Sequence, residues 1–249
     1  MGTGLLEGEE APAILWNGNG RSSYVLICEH ASNRLPRALG TLGLPPSELT
    51  RHIAWDIGAE QVARRLSRLM DAPLVLQRYS RLAYDCNRPP DAADAMPETS
   101  EATAIPGNRN LSPADKLARI REIYRPFHGA IADLLDRRAA EGVRSLVATI
   151  HSFTPVYQGE RRTVELGILH DQDTRLSEKL ARSFPGVDAR LNQPYGPTDG
   201  VLHTLTLHAA PRRLGRVMIE IRNDLISNER GQGEWAERLS TSLDQAAAS

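Results

Sequence analysis

The chain has 249 residues, with 30 basic side chains against 31 acidic ones, 41% hydrophobic residues and 5% aromatic ones. Balanced charge excludes a strong polyanion-binding field, and the scarcity of aromatic rings excludes a base-stacking platform, so no nucleic-acid partner is expected. Two cysteines, Cys28 and Cys86, exclude a disulfide framework, and no apolar run reaches the roughly 18 residues that span a bilayer.

Residues 1–20 are acidic and glycine-rich, with no basic stretch ahead of an apolar core, and position 6 is Leu6 where a myristoylation signal needs Ser or Thr. They read as a flexible segment ahead of one domain over 21–249, placed in the cytoplasm. Nothing in the composition points to a particular oligomeric state.

Short apolar, β-branched runs predict strands at 24–28, 74–77, 145–150, 164–169 and 217–221. Helical periodicity lies between them. From 47 to 69, Ile53, Ile57, Val62, Leu66 and Leu69 recur every three to five residues after Pro45-Pro46. A second helix runs from Ser112, a good N-cap, through Pro113 and Asp115 to Ala140, with Gly142 beyond its end and a kink or split expected at Pro126. Further helices are predicted over 174–183 and 233–245. The alternation implies an α/β layered domain: a mixed, largely parallel sheet flanked by helices. Two long stretches rich in Pro, Gly, Asn and Asp, 87–111 and 190–213, read as functional loops.

Polar clusters follow four of the strands, where open α/β sheets place ligands. They are Glu29-His30-Ala31-Ser32-Asn33, then Ser80-Arg81 with Asp85-Cys86-Asn87-Arg88-Pro89, then His151-Ser152, then Glu220 with Arg222-Asn223-Asp224. His30 and His151, rigidly held at strand ends, with one carboxylate would form a catalytic zinc shell that leaves a position for water. The alternative is two separate histidines hydrogen-bonded at strand ends. Asp56 is the preferred carboxylate, because the start of the helix on which it is read can face the strand ends. Glu29 should point away from His30 in extended backbone. Glu220, ending an apolar run, would be partly buried and raised in pKa towards a general base; an ion pair with Arg222 is the alternative. Arg81 and Arg88 offer the planar fork that pairs with a carboxylate. The other arginine pairs, Arg161-Arg162 among them, read as solvated faces.

These segments together resemble the N-formylglutamate amidohydrolase family from about Tyr24 to Leu243. The resemblance is carried by Cys28-Glu29-His30-Ala31-Ser32-Asn33, Ala54-Trp55-Asp56-Ile57-Gly58, Ser80-Arg81-Leu82, Asp85-Cys86-Asn87-Arg88-Pro89, Tyr124-Arg125-Pro126-Phe127-His128, Ile150-His151-Ser152-Phe153 and Glu220-Ile221-Arg222-Asn223-Asp224-Leu225. It implies a zinc-carboxypeptidase-like fold related to the aspartoacylase-like deacylases. It implies zinc, or another divalent metal, on His30, His151 and Asp56, and Glu220 as general acid/base. Arg81, Asn87, Arg88 and Arg222 would bind the substrate carboxylate or polarise its carbonyl, and Asn192 and Tyr195, in Asn192-Gln193-Pro194-Tyr195, would belong to a pocket-closing loop. The implied activity is hydrolysis of an N-acyl amino acid, N-formyl-L-glutamate foremost, with another N-acyl amino acid or a small peptide as the alternative substrate and a catalytically inactive binding protein as the rival. Two departures stand out. Better-known members have Pro-His-Ser-Gly at the first histidine, and zinc carboxypeptidases place a ligating Glu where Asn33 stands.

Overall fold

The computed structural model describes residues 4–248. In chain order they form β1 (Ala13–Trp16), β2 (Tyr24–Cys28), α1 (Pro46–Leu49), α2 (Ala59–Met70), β3 (Leu74–Gln77), the small hairpin β4 (Thr99–Ser100) and β5 (Thr103–Ala104), α3 (Pro113–Arg119), α4 (Arg125–Ala140) and β6 (Leu146–Phe153). A second small hairpin follows, β7 (Val156–Tyr157) and β8 (Glu160–Arg161), then β9 (Leu166–Leu169), α5 (Arg175–Ala181), β10 (Ala189–Leu191), β11 (Gly215–Arg222) and α6 (Glu229–Ala248).

Seven strands make one mixed sheet in the order β1-β3-β2-β6-β11-β9-β10. The pairings β2–β3, β2–β6, β6–β11 and β9–β10 are parallel, while β1–β3 and β9–β11 are antiparallel. Every residue of β2 is buried, because helices cover both faces. Alternation along the strand divides its side chains. Tyr24, Leu26 and Cys28 pack with Val62, Leu66, Trp235 and Leu239 of α2 and α6, whereas Val25 and Ile27 pack with Phe127 and Ile131 of α4. The same parity sends Met218 of β11 to the α4 side and Ile219 to the other.

Four expectations change. The segment read as flexible contains β1, whose residues pair with β3 from Ala13 opposite Gln77 to Trp16 opposite Leu74. The helix expected over 47–69 is two helices, because Gly58 takes a left-handed φ of 82° and lies so close to Ile226 that a Cβ would stand 2.3 Å from its carbonyl oxygen. Asp56 therefore lies in the connection ahead of α2 and not on a helix. Between Ser112, which forms a capping box with Asp115, and Ala140, the chain keeps a helical course past Pro126, because a wider π-helical turn at Ile120–Tyr124 precedes the proline. The stretch 190–213 carries β10's last residues and a second π-helical turn, Leu205–Ala209.

No helix of the described residues is long and apolar enough to cross a membrane.

Candidate active site

Strand β2 ends just before Glu29 and His30, and β6 runs two residues beyond His151, so the two imidazoles arise from neighbouring parallel strands. Their rings meet edge to face with centroids 4.9 Å apart. Asp56 is brought in by its backbone: its amide donates to the His30 carbonyl at 2.9 Å, and its own carbonyl accepts from Ala59 at the start of α2. The Asp56 Oδ2 atom then lies 2.9 Å from His151 Nδ1 and 3.3 Å from His30 Nδ1, and accepts from the Ser152 amide at 3.2 Å. One ligand atom from each of His30, Asp56 and His151 falls within 4.8 Å of the others, and all three residues are buried.

A carboxylate also stands behind each histidine. Asp85 Oδ1 is 2.7 Å from His30 Nε2, and Glu29 Oε2 is 2.9 Å from His151 Nε2, although that second contact is not aligned as a hydrogen bond. Both imidazoles thus turn Nδ1 inward and Nε2 towards an acid, the arrangement that fixes metal-ligating histidines. Glu29 shares the sheet face of Val25 and Ile27, which is the His151 side; it meets the remote nitrogen of His151 and not the gap between the three residues. The sequence offered Asp85 only as part of a motif, since its role depends on a loop folding back beneath β2.

Electrostatics test whether a cation fits. Burial opposes ionisation of Glu29, Asp56 and Asp85, but the facing imidazoles, with Arg81 for Asp85, outweigh it and hold each carboxyl below its ordinary range. Burial also opposes charge on the imidazoles, yet the surrounding acids push both above their usual value. Against the three carboxylates of Glu29, Asp56 and Asp85 the cluster sets one guanidinium, Arg81, which lies 2.6 Å from Asp85 and 3.5 Å from Asp56. With neutral imidazoles the cluster carries two uncompensated negative charges, which one divalent cation would balance. The donor set, two imidazole nitrogens and one carboxylate, suits zinc.

The cluster opens on a cleft of about 450 Å³ lined by His30, Asp56, Arg81, Asn87, Arg88, Tyr195 and Glu220, among others. Both long loops supply walls, through Arg88 and Glu101 on one side and Tyr195, Asp199 and Val201 on the other. Glu220 is 4% exposed, and its Oε2 has no hydrogen-bond partner among the described residues. Burial raises its carboxyl to about 7, with Asp56 adding to the rise and His151 opposing it. Gly167, its neighbour across β9, makes room for the second loop, since a Cβ there would lie 2.2 Å from the Gln193 carbonyl oxygen.

Not every anticipated residue reaches the cleft with free groups. Arg222 does not line it: its guanidinium pairs with Asp224 at 2.8 Å and donates to the Thr163 carbonyl at 2.9 Å, because the end of β11 abuts the turn after β8. Asn192 does not line it either. Its Oδ1 accepts from the His170 amide and its Nδ2 faces His170 Nε2 at 3.2 Å, tying β10's exit to β9's. Asn87 lines the cleft, but its amide group is spent on the Val201 carbonyl and the Thr204 amide, so it binds the second loop. Arg162, read from sequence as part of a solvated face, lines the cleft instead. His128 lies behind the site: its Nε2 donates to the Cys86 carbonyl at 2.8 Å, leaving Nδ1 to accept from His208 Nε2 at 2.8 Å.

The comparisons with known proteins agree with this layout. The chain is 48% identical to gene product Atu2144 of Agrobacterium tumefaciens, whose crystal structure it matches with a TM-score of 0.95 over 97% of each chain. It has the fold of N-formylglutamate amidohydrolase from Ralstonia eutropha JMP134, with a TM-score of 0.71 and 20% identity over 96% of this chain and 98% of that one. No curated protein matches it in sequence. The family model for N-formylglutamate amidohydrolase matches residues 22–227, a span that takes in every strand and loop contributing to the cleft. The chain belongs to the N-formylglutamate amidohydrolase family and is a hydrolase acting on an amide.

Proposed function

We propose that this protein hydrolyses the amide bond of an N-acyl amino acid, N-formyl-L-glutamate foremost, with a zinc ion held by His30, Asp56 and His151. The observation that carries the reading is the convergence of His30 Nδ1, His151 Nδ1 and Asp56 Oδ2 beside a buried glutamate in the same cleft. When bound, zinc supplies a Lewis acid that brings the pKa of water down to about 7 and polarises a carbonyl. Asp85 and Glu29 keep the two imidazoles turned towards the ion.

Glu220 takes a proton from the attacking water through its unpartnered Oε2 and returns it to the departing amine nitrogen. Its raised pKa suits both halves of that task. Arg81 lines the cleft, paired with Asp85 and 3.5 Å from Asp56, and it stabilises negative charge developing on the carbonyl oxygen. Arg88 and Tyr195, on opposite walls, hold the amino-acid portion. Hydrolysis of N-formyl-L-glutamate in this way yields formate and L-glutamate.

The test is a panel of N-formyl, N-acetyl and N-succinyl amino acids, each incubated with zinc-loaded protein and assayed for released amine. Release from N-formyl-L-glutamate ahead of the other substrates supports the proposal. Release only from another N-acyl amino acid or a peptide replaces the substrate, and release from none refutes hydrolysis.

A further inference from the structure

Asp85 and Glu29, the acids behind the two histidines, are themselves held, and both holds lead to one segment of the second loop. Asp85 Oδ1 accepts from two groups, His30 Nε2 at 2.7 Å and the Asn87 amide at 2.9 Å. Asn87 then spans the loop with its side chain. Its Nδ2 donates to the Val201 carbonyl, and its Oδ1 accepts from the Thr204 amide at 3.1 Å. Asn87 is buried, so these partners stand in for water, and losing them would strand its amide group.

The second hold is at Thr204. This residue is buried, and its hydroxyl faces the Glu29 carboxyl, whose Oε2 is 2.9 Å from His151 Nε2. Glu29 Oε1 and Oε2, Thr204 Oγ1 and His151 Nε2 are all shut off from solvent, and none makes an aligned hydrogen bond among the described residues. A hydroxyl donates to a carboxylate without cancelling its charge. Thr204 therefore steadies Glu29 and leaves its negative charge for His151.

The same segment has a side turned to the cleft. Val201 lines it, with Asp199 and Tyr195 just ahead in the wall. Leu202 and Leu205 seat the segment in the apolar layer that contains Tyr84, Cys86 and Phe127. We propose that Asn87 and Thr204 are positioning residues that couple the order of this loop to the hold on the metal. The 201–204 segment braces the acid behind each histidine, and a bound metal in turn orders the segment. The proposal rests on the reading that His30, Asp56 and His151 share a metal. Linkage makes the coupling reciprocal: the factor by which loop order tightens the metal is the factor by which the metal favours loop order. A staple that only joined two loops would leave metal affinity untouched.

The test measures zinc affinity by competition with a chromophoric chelator, in variants shown to be folded by circular dichroism. Thr204→Val, which keeps the shape and removes the hydroxyl, should weaken zinc by about 3- to 10-fold, the worth of one hydrogen bond. Thr204→Ser, which keeps the hydroxyl, should match the wild type within about twofold. Asn87→Ala should weaken zinc by about 10-fold, as loss of an outer support does. Added to Asp85→Asn, it should cost less than about twofold more, because it acts through Asp85. In parallel, zinc should slow hydrogen exchange over 201–204 in the wild type and not in Asn87→Ala.

Unchanged zinc affinity in Thr204→Val or in folded Asn87→Ala overturns the proposal. So does a fully additive loss in the Asn87→Ala, Asp85→Asn double variant, or zinc-independent exchange over 201–204 in the wild type. If Asn87→Ala does not fold, Thr204→Val combined with Glu29→Gln decides by the same non-additivity. A wild type that binds no zinc removes the metal reading and this coupling with it. A wild type that binds zinc no more tightly than the variants removes the coupling alone.

Discussion

His151 and Glu220 are register partners on adjacent parallel strands, β6 and β11, and lie on the same face of the sheet. This pairing puts a metal-capable imidazole and a buried carboxyl within one strand spacing of each other, on backbone that cannot drift. The loop-borne groups, Asp56 and Asp85, are then drawn to that rigid pair through hydrogen bonds.

Replacing Glu220 by Gln keeps the shape and removes the proton acceptor. Turnover of the substrate should fall by about 10²- to 10⁴-fold, the usual contribution of general acid–base catalysis. Zinc content should be unchanged, since Glu220 is outside the ligand group. Steady-state kinetics with metal analysis of the same sample checks both halves.

Asp85→Asn weakens the acid behind His30 without touching a ligand atom. Loss of such a partner costs about 10- to 100-fold in metal affinity. Competition with a chromophoric chelator reads the change directly, and an unaltered zinc affinity would remove Asp85 from the support of His30.

His128 and His208 give a pH signature distant from the cleft. Burial, with the neighbouring histidine for His128 and Arg212 for His208, lowers them to about 3 and about 4. Unfolding releases each to an ordinary value near 6.5, so the unfolded chain binds more protons between those limits. Stability from this pair is complete above about pH 6.5 and declines as pH falls towards 4, by up to about 1.4 kcal/mol per pH unit for each group. Urea unfolding at pH 7.5, 6 and 5 compares wild type with His208→Gln. The stability of the variant relative to wild type should rise as pH falls, because the opposite contributions of Glu220, His30 and His151, whose pKa values are raised, are common to both.

Much of this arrangement is legible in the sequence, for physical reasons. Strands β2 and β3 begin and end where expected, since residues buried on both faces leave unbroken apolar runs. His30, His151 and Glu220 stand out because polar groups ending such runs have few other uses. Asp56 was legible as a residue but not as a conformation: Ile53 and Ile57 imitate a helical stripe, while the left-handed turn at Gly58 depends on a close approach by Ile226 from 168 residues away in sequence. Strand β1 escaped because four residues behind Pro12 carry too little pattern. The arginines were least legible. Which of Arg81, Arg88, Arg162 and Arg222 keeps free donors is decided by where Asp85, Asp94 and Asp224 fall, and spacing along the chain does not encode that.

The proposed site has one cation shared by His30, Asp56 and His151, and metal content per chain measures that sharing. Atomic spectroscopy of the purified protein after zinc loading and exhaustive dialysis should give close to one zinc per chain in the wild type. His30→Ala and His151→Ala, each still folded by circular dichroism, should both have lost it. Full zinc occupancy in either variant, or none in the wild type, would contradict the assignment.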